Sequence, residues 1–328
     1  MYDVCTLGEL LIDFTPAGMS PNKNCLFERN PGGAPANVAT AVSKFGLRSA
    51  FLGMVGNDIF GKFLCETLKS NDVEVKGLRF SDQYKTTLAF VELNETGDRS
   101  FSFYRNPGAD MMYSEDDIDY DIISDSKIFH FGSLSLTNDT VKAATEKAVR
   151  FAKDNGKIIS FDPNLRPLLW DNLLHAKEEI INMIKYADIL KISQEEMEFI
   201  TQKKSLIEAS SELMNYGTTL ILITLGENGC FYRCKDFSGL LSAYDTKIVD
   251  TTGAGDAFQG GFIYKLSKCG KKLNELEKGE IEEMVDFGNA VGSLAATKKG
   301  GIPAMPSLKE VENCMRNVAK LPSKVTVF

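Results

Sequence analysis

The sequence predicts an α/β fold with a central, mostly parallel sheet and helices on both faces. Short apolar runs alternate with helical patterns along the chain, and polar residues gather just after those runs. The length of 328 residues suits one large α/β domain or two smaller ones. With 43% hydrophobic and 25% charged residues, the composition is that of a globular chain. A formal charge of -8 argues against a nucleic-acid surface, which needs a basic patch or stripe.

The N-terminal stretch "MYDVCTLGELLIDF" enters a strand directly, without a basic region or cleavage site, so no secretory signal is expected. No apolar run approaches the ~20 residues of a membrane span. The seven cysteines (5, 25, 65, 230, 234, 269 and 314) read as reduced thiols, and the expected location is cytoplasmic. Cys230 and Cys234 form C-x3-C without a second pair, which favours two strand residues over zinc ligands.

The runs "SAFLGMVG", "KIFHFG", "KIISFD", "ADILKIS" and "TLILITLG" are each expected to precede a helix. Asp162, Ser193, Glu196, Thr224 and Gly226 fall at their carboxyl ends, where ligands bind in such sheets. Residues 86 to 105, "TTLAFVELNETGDRSFSFYR", break the pattern and read as a hairpin turning at "NETG". Phe101, Phe103 and Arg105 share one side of its second strand, and pattern alone leaves open whether they cover a site, an oligomer interface or the hairpin's own core. Near the end, Ser307 and Glu310 have capping-box spacing for a last helix, and the tail "LPSKVTVF" carries no motif.

The stretch "VDTTGAGDAF", 249 to 258, holds the chemistry. It is neither G-x-x-x-x-G-K-[ST] nor G-x-G-x-x-G, because Phe258 occupies the third glycine position. The expected local structure is a strand ending near Val249, a tight turn, and a helix beginning around Asp256. Gly253, Ala254 and Gly255 then leave backbone N–H groups uncovered at a helix N-terminus, a ready anion site. A carboxylate there opposes phosphate unless it removes a proton. Asp256 as general base for a hydroxyl attacking a phosphoryl group answers that conflict, and a helix-capping role is compatible with it. Gly260 and Gly261 weaken a helix interior, so close packing is their expected use.

"DTTGAGDAFQGGF" resembles the C-terminal signature of the ribokinase-like (PfkB-type) carbohydrate kinases, and "GGAPANVATAVSKFG" resembles their N-terminal one. "GELLIDF", "TLAFVEL", "FYRNPGADM", "SFDPNLR" and "ITLGENG" extend the similarity to fructokinases over all but the tail. The resemblance implies a ribokinase-like fold over residues 1–328 with a small β-sheet lid from segments near 11–34 and 84–107. It implies Asp256 as the base, Gly253 to Gly255 as the anion hole, and Asp13, Gly32, Gly33 and Asn37 on sugar hydroxyls. Asn37 lies early on a helix whose stripe Val38, Val42 and Phe45 faces the core. Arg105 and Arg166 become cationic contacts to substrate or transferred phosphate. Thr224, Gly226, Gly229 and Asn289 match ATP-contacting positions. Mg²⁺ is expected on the phosphates, with Glu196 acting through water, although Ser193 replaces the family's usual asparagine. Asp250 and Thr252, with backbone around Ala295 and Gly300, match a K⁺ loop.

The implied activity is ATP-dependent phosphorylation of the primary hydroxyl of D-fructose. A 2-keto-3-deoxygluconate kinase shares both signatures but needs more positive charge for its substrate's carboxylate. A non-catalytic sugar or nucleotide sensor has no need of a base in the anion hole, and a nicotinamide oxidoreductase lacks its fingerprint. Partners are a sugar and ATP, with a homodimer through the lid possible and no nucleic acid or membrane.

Overall fold

The computed structural model describes residues 1–93 and 99–325. Its larger sheet is parallel from Val73–Glu74 through Ser49–Gly56, Tyr2–Leu7, Ser126–Gly132, Ile158–Asp162 and Ile189–Ser193 to Leu220–Thr224. Leu78–Ser81 adds beside Ser49–Gly56, and Cys230–Arg233 and Ser238–Leu241 complete the far edge in antiparallel pairing.

Period-two alternation sends the strands' apolar residues to opposite faces. Leu7, Phe131, Phe161 and Ile192 pack under the helices Asp139–Asp154, Leu173–Ile184, Gln194–Thr201 and Leu206–Met214. Val4, Ile128, Ile189 and Leu222 pack under Ala34–Lys44, Ala254–Cys269 and Lys278–Ala295. Each fully buried Leu, Ile or Phe contributes about 1.5–3 kcal/mol through burial. The stripe Val38, Val42 and Phe45 is buried as expected.

Four of the five runs lead into helices, but "TLILITLG" does not. It passes through a turn at Gly226–Asn228, closed by Leu225 N–H donating to Gly229 O at 2.8 Å, and returns as an antiparallel strand. Gly226 and Gly229, at φ 57° and 88°, make the reversal possible where a helix would need negative φ throughout.

A second sheet of four strands has the order Cys25–Gly32, Leu11–Met19, Leu88–Leu93, Arg99–Tyr104. The expected hairpin is present as the antiparallel pair Leu88–Leu93 and Arg99–Tyr104. Its "NETG" turn and the side chain of Phe101 lie outside the described residues. Leu10, Ile12, Phe14 and Leu88 seat this sheet against the helices Ala34–Lys44 and Ile59–Ser70. Ser307 caps the last helix, Leu308–Asn317, in a capping box with Glu310. The seven cysteines are free, with Cys230 in a strand and Cys234 just beyond it. Among the described residues no helix is long and apolar enough to cross a membrane, and no cluster of His, Cys, Asp and Glu could hold a metal.

Candidate active site

The loop before Ala254–Cys269 differs from the expected strand and turn. Residues 245 to 250 form no strand, because no neighbouring strand is available to pair with them. Val249 and Asp250 instead donate to Ala296 O, at 2.8 and 3.1 Å, and Ile248 and Val249 remain exposed. The helix begins at Ala254, two residues before Asp256, since Gly253 at φ 74° takes the N-cap position without a side-chain cap. Asp256 is therefore inside the first turn rather than at the cap. Ala254 N–H turns back to Thr251 O at 3.2 Å, whereas the amides of Gly255 and Asp256 have no backbone partner among the described residues. These two, at the positive end of a 16-residue helix, are the donors an anion would meet.

Gly255 has a steric reason to be glycine. A Cβ there would stand 2.7 Å from Lys191 Nζ. The close packing expected for Gly260 and Gly261 is also present: a Cβ on the first would meet Ala41 Cβ at 2.5 Å, and on the second Val291 Cγ2 at 2.7 Å. The helix thus presses between Ala34–Lys44 and Lys278–Ala295, and Gln259 pins it to the sheet by donating to Ser160 Oγ at 2.8 Å.

Asp256 is buried at 6% exposure, and Asn37 Nδ2 donates to its Oδ2 at 2.7 Å. Asn164 Nδ2 approaches its Oδ1 at 3.4 Å. Burial first, then the nearby Asp162, pushes the Asp256 carboxyl up to about 6, against the pull of Asn37, Lys191 and Arg166. The hydrogen bond from Asn37 fixes one oxygen, and only the long contact from Asn164 reaches the other.

A cavity of about 540 Å³ opens in front of this carboxylate, lined by Asp13, Gly33, Asn37, Arg166, Thr252, Gly253, Gly255 and Asp256. Gly32 stands behind Asp13, where a Cβ would lie 2.6 Å from Asp13 Oδ2. Burial pushes Asp13 up to about 6, with Arg166 opposing and Asp250 and Asp256 adding. Phe103 of the four-stranded sheet lines the cavity together with Pro167 and Leu168. A second cavity, about 210 Å³, is lined by Thr224, Gly226, Gly229, Ala254 and Asn289. Thr251 and Gly255 belong to both cavities, so the helix N-terminus is their shared wall.

The chain matches the family model of the pfkB family carbohydrate kinases over residues 1–308. The chain belongs to that family. Fructokinase-2 of Solanum lycopersicum is 41% identical over 319 residues, covering 96% of this chain and 97% of the relative. A fructokinase from Xylella fastidiosa with bound ATP superimposes with a TM-score of 0.88 at 32% identity, covering 96% of this chain and 99% of that one. A double mutant of the Vibrio cholerae O395 fructokinase, with fructose, ADP and potassium ion bound, gives 0.87 at 33% identity, covering 96% and 98%. The protein is a carbohydrate kinase, fructokinase-like along nearly its whole length, with the ribokinase-like architecture of those structures.

Arg105 occupies a position the hairpin pattern does not reveal. It is buried at 4% exposure, one residue beyond its strand, and its guanidinium is held by Asp110 at 2.7 Å, Thr137 Oγ1 at 2.8 Å and Leu134 O at 3.1 Å. It does not line the cavity. Arg166 is exposed at the mouth, with one nitrogen 3.3 Å from Leu165 O.

Glu196 is engaged on both oxygens. Leu165 N–H donates to Oε1 at 2.6 Å and Ser193 N–H to Oε2 at 2.8 Å. Ser193 Oγ accepts from Glu196 N–H at 3.2 Å, so the serine that replaces asparagine forms a capping box with it. Burial, with Asp162 adding, raises the Glu196 carboxyl, while Lys191 and the two amides oppose. Asp250 Oδ1 accepts from Thr252 N–H at 2.8 Å and Oδ2 from Gly300 N–H at 3.1 Å, tying the 249–252 loop to the turn after Ala295. Asn289 Nδ2 donates to Leu241 O and Ser242 O, at 2.9 and 3.2 Å.

Lys191, Asn164 and Glu9 also line the first cavity, and sequence reading did not single them out. Lys191 Nζ is buried beside Asp162 at 2.8 Å. Burial disfavours its charge, but Asp162, Glu196 and Asp256 together raise its pKa. Glu9 is buried, accepts from Ala34 N–H at 2.7 Å through Oε1, and is pushed up to about 7, mainly by burial. Asn164 sits in the quoted "DPNLR" block, where position after a strand was the available signal. Lys191 lies inside the apolar "DILKIS" run, where a charged residue at a sheet interior was itself a signal.

Proposed function

We propose that the chain transfers the γ-phosphoryl group of ATP to the primary hydroxyl of D-fructose, giving fructose 6-phosphate and ADP. The observation that carries this reading is the position of the Asp256 carboxylate, oriented by Asn37 at a helix N-terminus shared by two cavities. Sugar in the first and nucleotide in the second would meet at Gly255.

The C6 hydroxyl donates its hydrogen bond to Asp256. As the new oxygen–phosphorus bond forms and the bond to ADP breaks, the hydroxyl proton passes to Asp256, which releases it after the product leaves. The free amides of Gly255 and Asp256, with Lys191 behind them, stabilise the charge on the transferring group. Asp13, Gly32, Gly33 and Asn37 hold sugar hydroxyls, and Arg166 approaches the phosphate from the mouth. Thr224, Gly226, Gly229 and Asn289 hold the nucleotide.

Mg²⁺ on the phosphates would supply charge neutralisation, and Glu196 would reach it through water. K⁺ would be held by the Asp250 and Thr252 loop with backbone of Ala295 and Gly300. The tie between Asp250 and Gly300 N–H supports two loops meeting there, and the cation would stiffen the anion hole. On this reading the chain works as one kinase unit over 1–328 and acts in the cytoplasm, a setting that suits seven cysteines read as reduced thiols.

Arg105 supports a neutral sugar over 2-keto-3-deoxygluconate. Asp110 neutralises it, Asp162 neutralises Lys191, and Glu9 and Asp13 add acidic groups to the cavity, an unfavourable setting for a substrate carboxylate. The test is ADP formation with Mg-ATP and K⁺ when fructose, glucose, ribose and 2-keto-3-deoxygluconate are offered separately. Turnover favouring fructose supports the assignment, and turnover restricted to the keto-deoxy acid refutes the substrate while retaining the chemistry.

A further inference from the structure

The family match ends at residue 308, yet the chain beyond the last helix is not a loose end. After Leu308–Asn317 it crosses the second cavity and is tied to two separate walls of it. On one wall, Asp245 N–H donates to Ala319 O and Leu321 N–H to Ala243 O, both at 2.8 Å. On the other, Lys324 N–H donates to Asn228 Oδ1 at 3.1 Å, beside the glycines of the Gly226–Asn228 turn. Val325 then packs against the large core. The Lys324–Glu227 ion pair at 2.8 Å is exposed on both sides and adds little, so the backbone ties and Val325 hold the segment. Between the two anchors, the side chain of Leu321 lines the cavity together with Ala243, Ile248 and Ala296.

We propose that this C-terminal strap, residues 319–325, is a wall of the nucleotide site, with Leu321 covering the base of the phosphate donor. The inference rests on reading the second cavity as the nucleotide site. An apolar side chain offers nothing to a triphosphate. The flat heteroaromatic base is the part of the donor whose burial it favours.

The experiment is calorimetric titration of Mg-ATP into the full chain, into Leu321→Ala, and into a chain ending at Lys320, with steady-state KM values for ATP and sugar alongside. Leu321→Ala is expected to weaken Mg-ATP binding about tenfold, the shortened chain at least as much, and KM for the sugar is expected to stay within about twofold. Leu321→Ile is expected to restore most of the affinity. Mg-ATP affinity unchanged in Leu321→Ala would overturn the inference. So would nucleotide and sugar constants worsening together with a lowered melting temperature, because that pattern is a general loss of stability. If the shortened chain fails to fold, the two point variants still decide the matter. Failure of the unaltered chain to bind Mg-ATP would remove the nucleotide reading itself, and this inference with it.

Discussion

Asp256 has a raised proton affinity because the fold buries it and surrounds it with other carboxylates. A general base must be ionised, so kcat/KM is expected to fall about tenfold per pH unit below about 6 and to level off above it. Asp13 is raised to about 6 as well, mainly by burial, so a fall steeper than tenfold per unit would show that its ionisation is required too. The same shift acts on stability. An acid whose folded pKa is raised contributes most at pH below its unfolded value, ~3.9, and that contribution is lost as pH rises through about 6. Asp256→Asn is therefore expected to raise the unfolding free energy by roughly 1–3 kcal/mol at pH 8 and by almost nothing at pH 4, measured by urea denaturation. Lys191 is the converse case. Removing it strands Asp162 in the interior, so Lys191→Met is expected to cost about 3–5 kcal/mol and to lower kcat, with denaturation curves and turnover as the checks. These residues differ in how they show in the sequence. Asp256 and the glycines before it are legible because a short contiguous pattern dictates their backbone. Glu9 and Asn164 follow two different strands and Lys191 lies within a third, so they acquire a role only when the sheet brings those strands together. Arg105 was legible as a charge on the hairpin, but its partner Asp110 belongs to a loop whose course alternation cannot give.

The helix Ala254–Cys269 is the element on which the site depends, since it supplies the free amides, the base and the wall between the cavities. Its position is set by contact at two glycines. Gly260→Ala is expected to destabilise the fold by about 1–3 kcal/mol, and Ala41→Gly in the same chain to recover part of that loss, in a double-mutant cycle. The helix's existence and packing face follow from Phe258, Phe262 and the glycine pair. Its exact start does not, because Asp is a common cap and only the positive φ of Gly253 moves the cap three residues earlier. The absent strand before it has a similar cause. The residues "TKIV" have strand character, but a strand needs a neighbour, and here the donors of Val249 and Asp250 go to the end of a helix.

For the whole molecule, the parallel sheet, the two helical layers and the hairpin follow from apolar period, and the second sheet joins segments that the sequence separates by more than fifty residues. That sheet carries Phe103 over the cavity while exposing Met19, Leu26, Phe27 and Tyr104 elsewhere. Two uses are expected of it. As a lid it keeps water from the phosphoryl group, so Phe103→Ala is expected to raise ATP hydrolysis relative to sugar phosphorylation, read as ADP formed per sugar phosphate. As an interface it would pair two copies, so sedimentation equilibrium at micromolar concentration is expected to give twice the chain mass, and a single-chain mass would argue against the dimer. Neither use bears on what Asp256 does in the proposed mechanism. There Asp256 moves a proton rather than merely holding the sugar. The direct measurement is single-turnover transfer from Mg-ATP to fructose in the unaltered kinase and in Asp256→Asn, with fructose affinity determined for both. A transfer rate lower by about 10²–10⁴ at nearly unchanged affinity is expected, whereas transfer within tenfold of the unaltered rate would rule out proton transfer to Asp256.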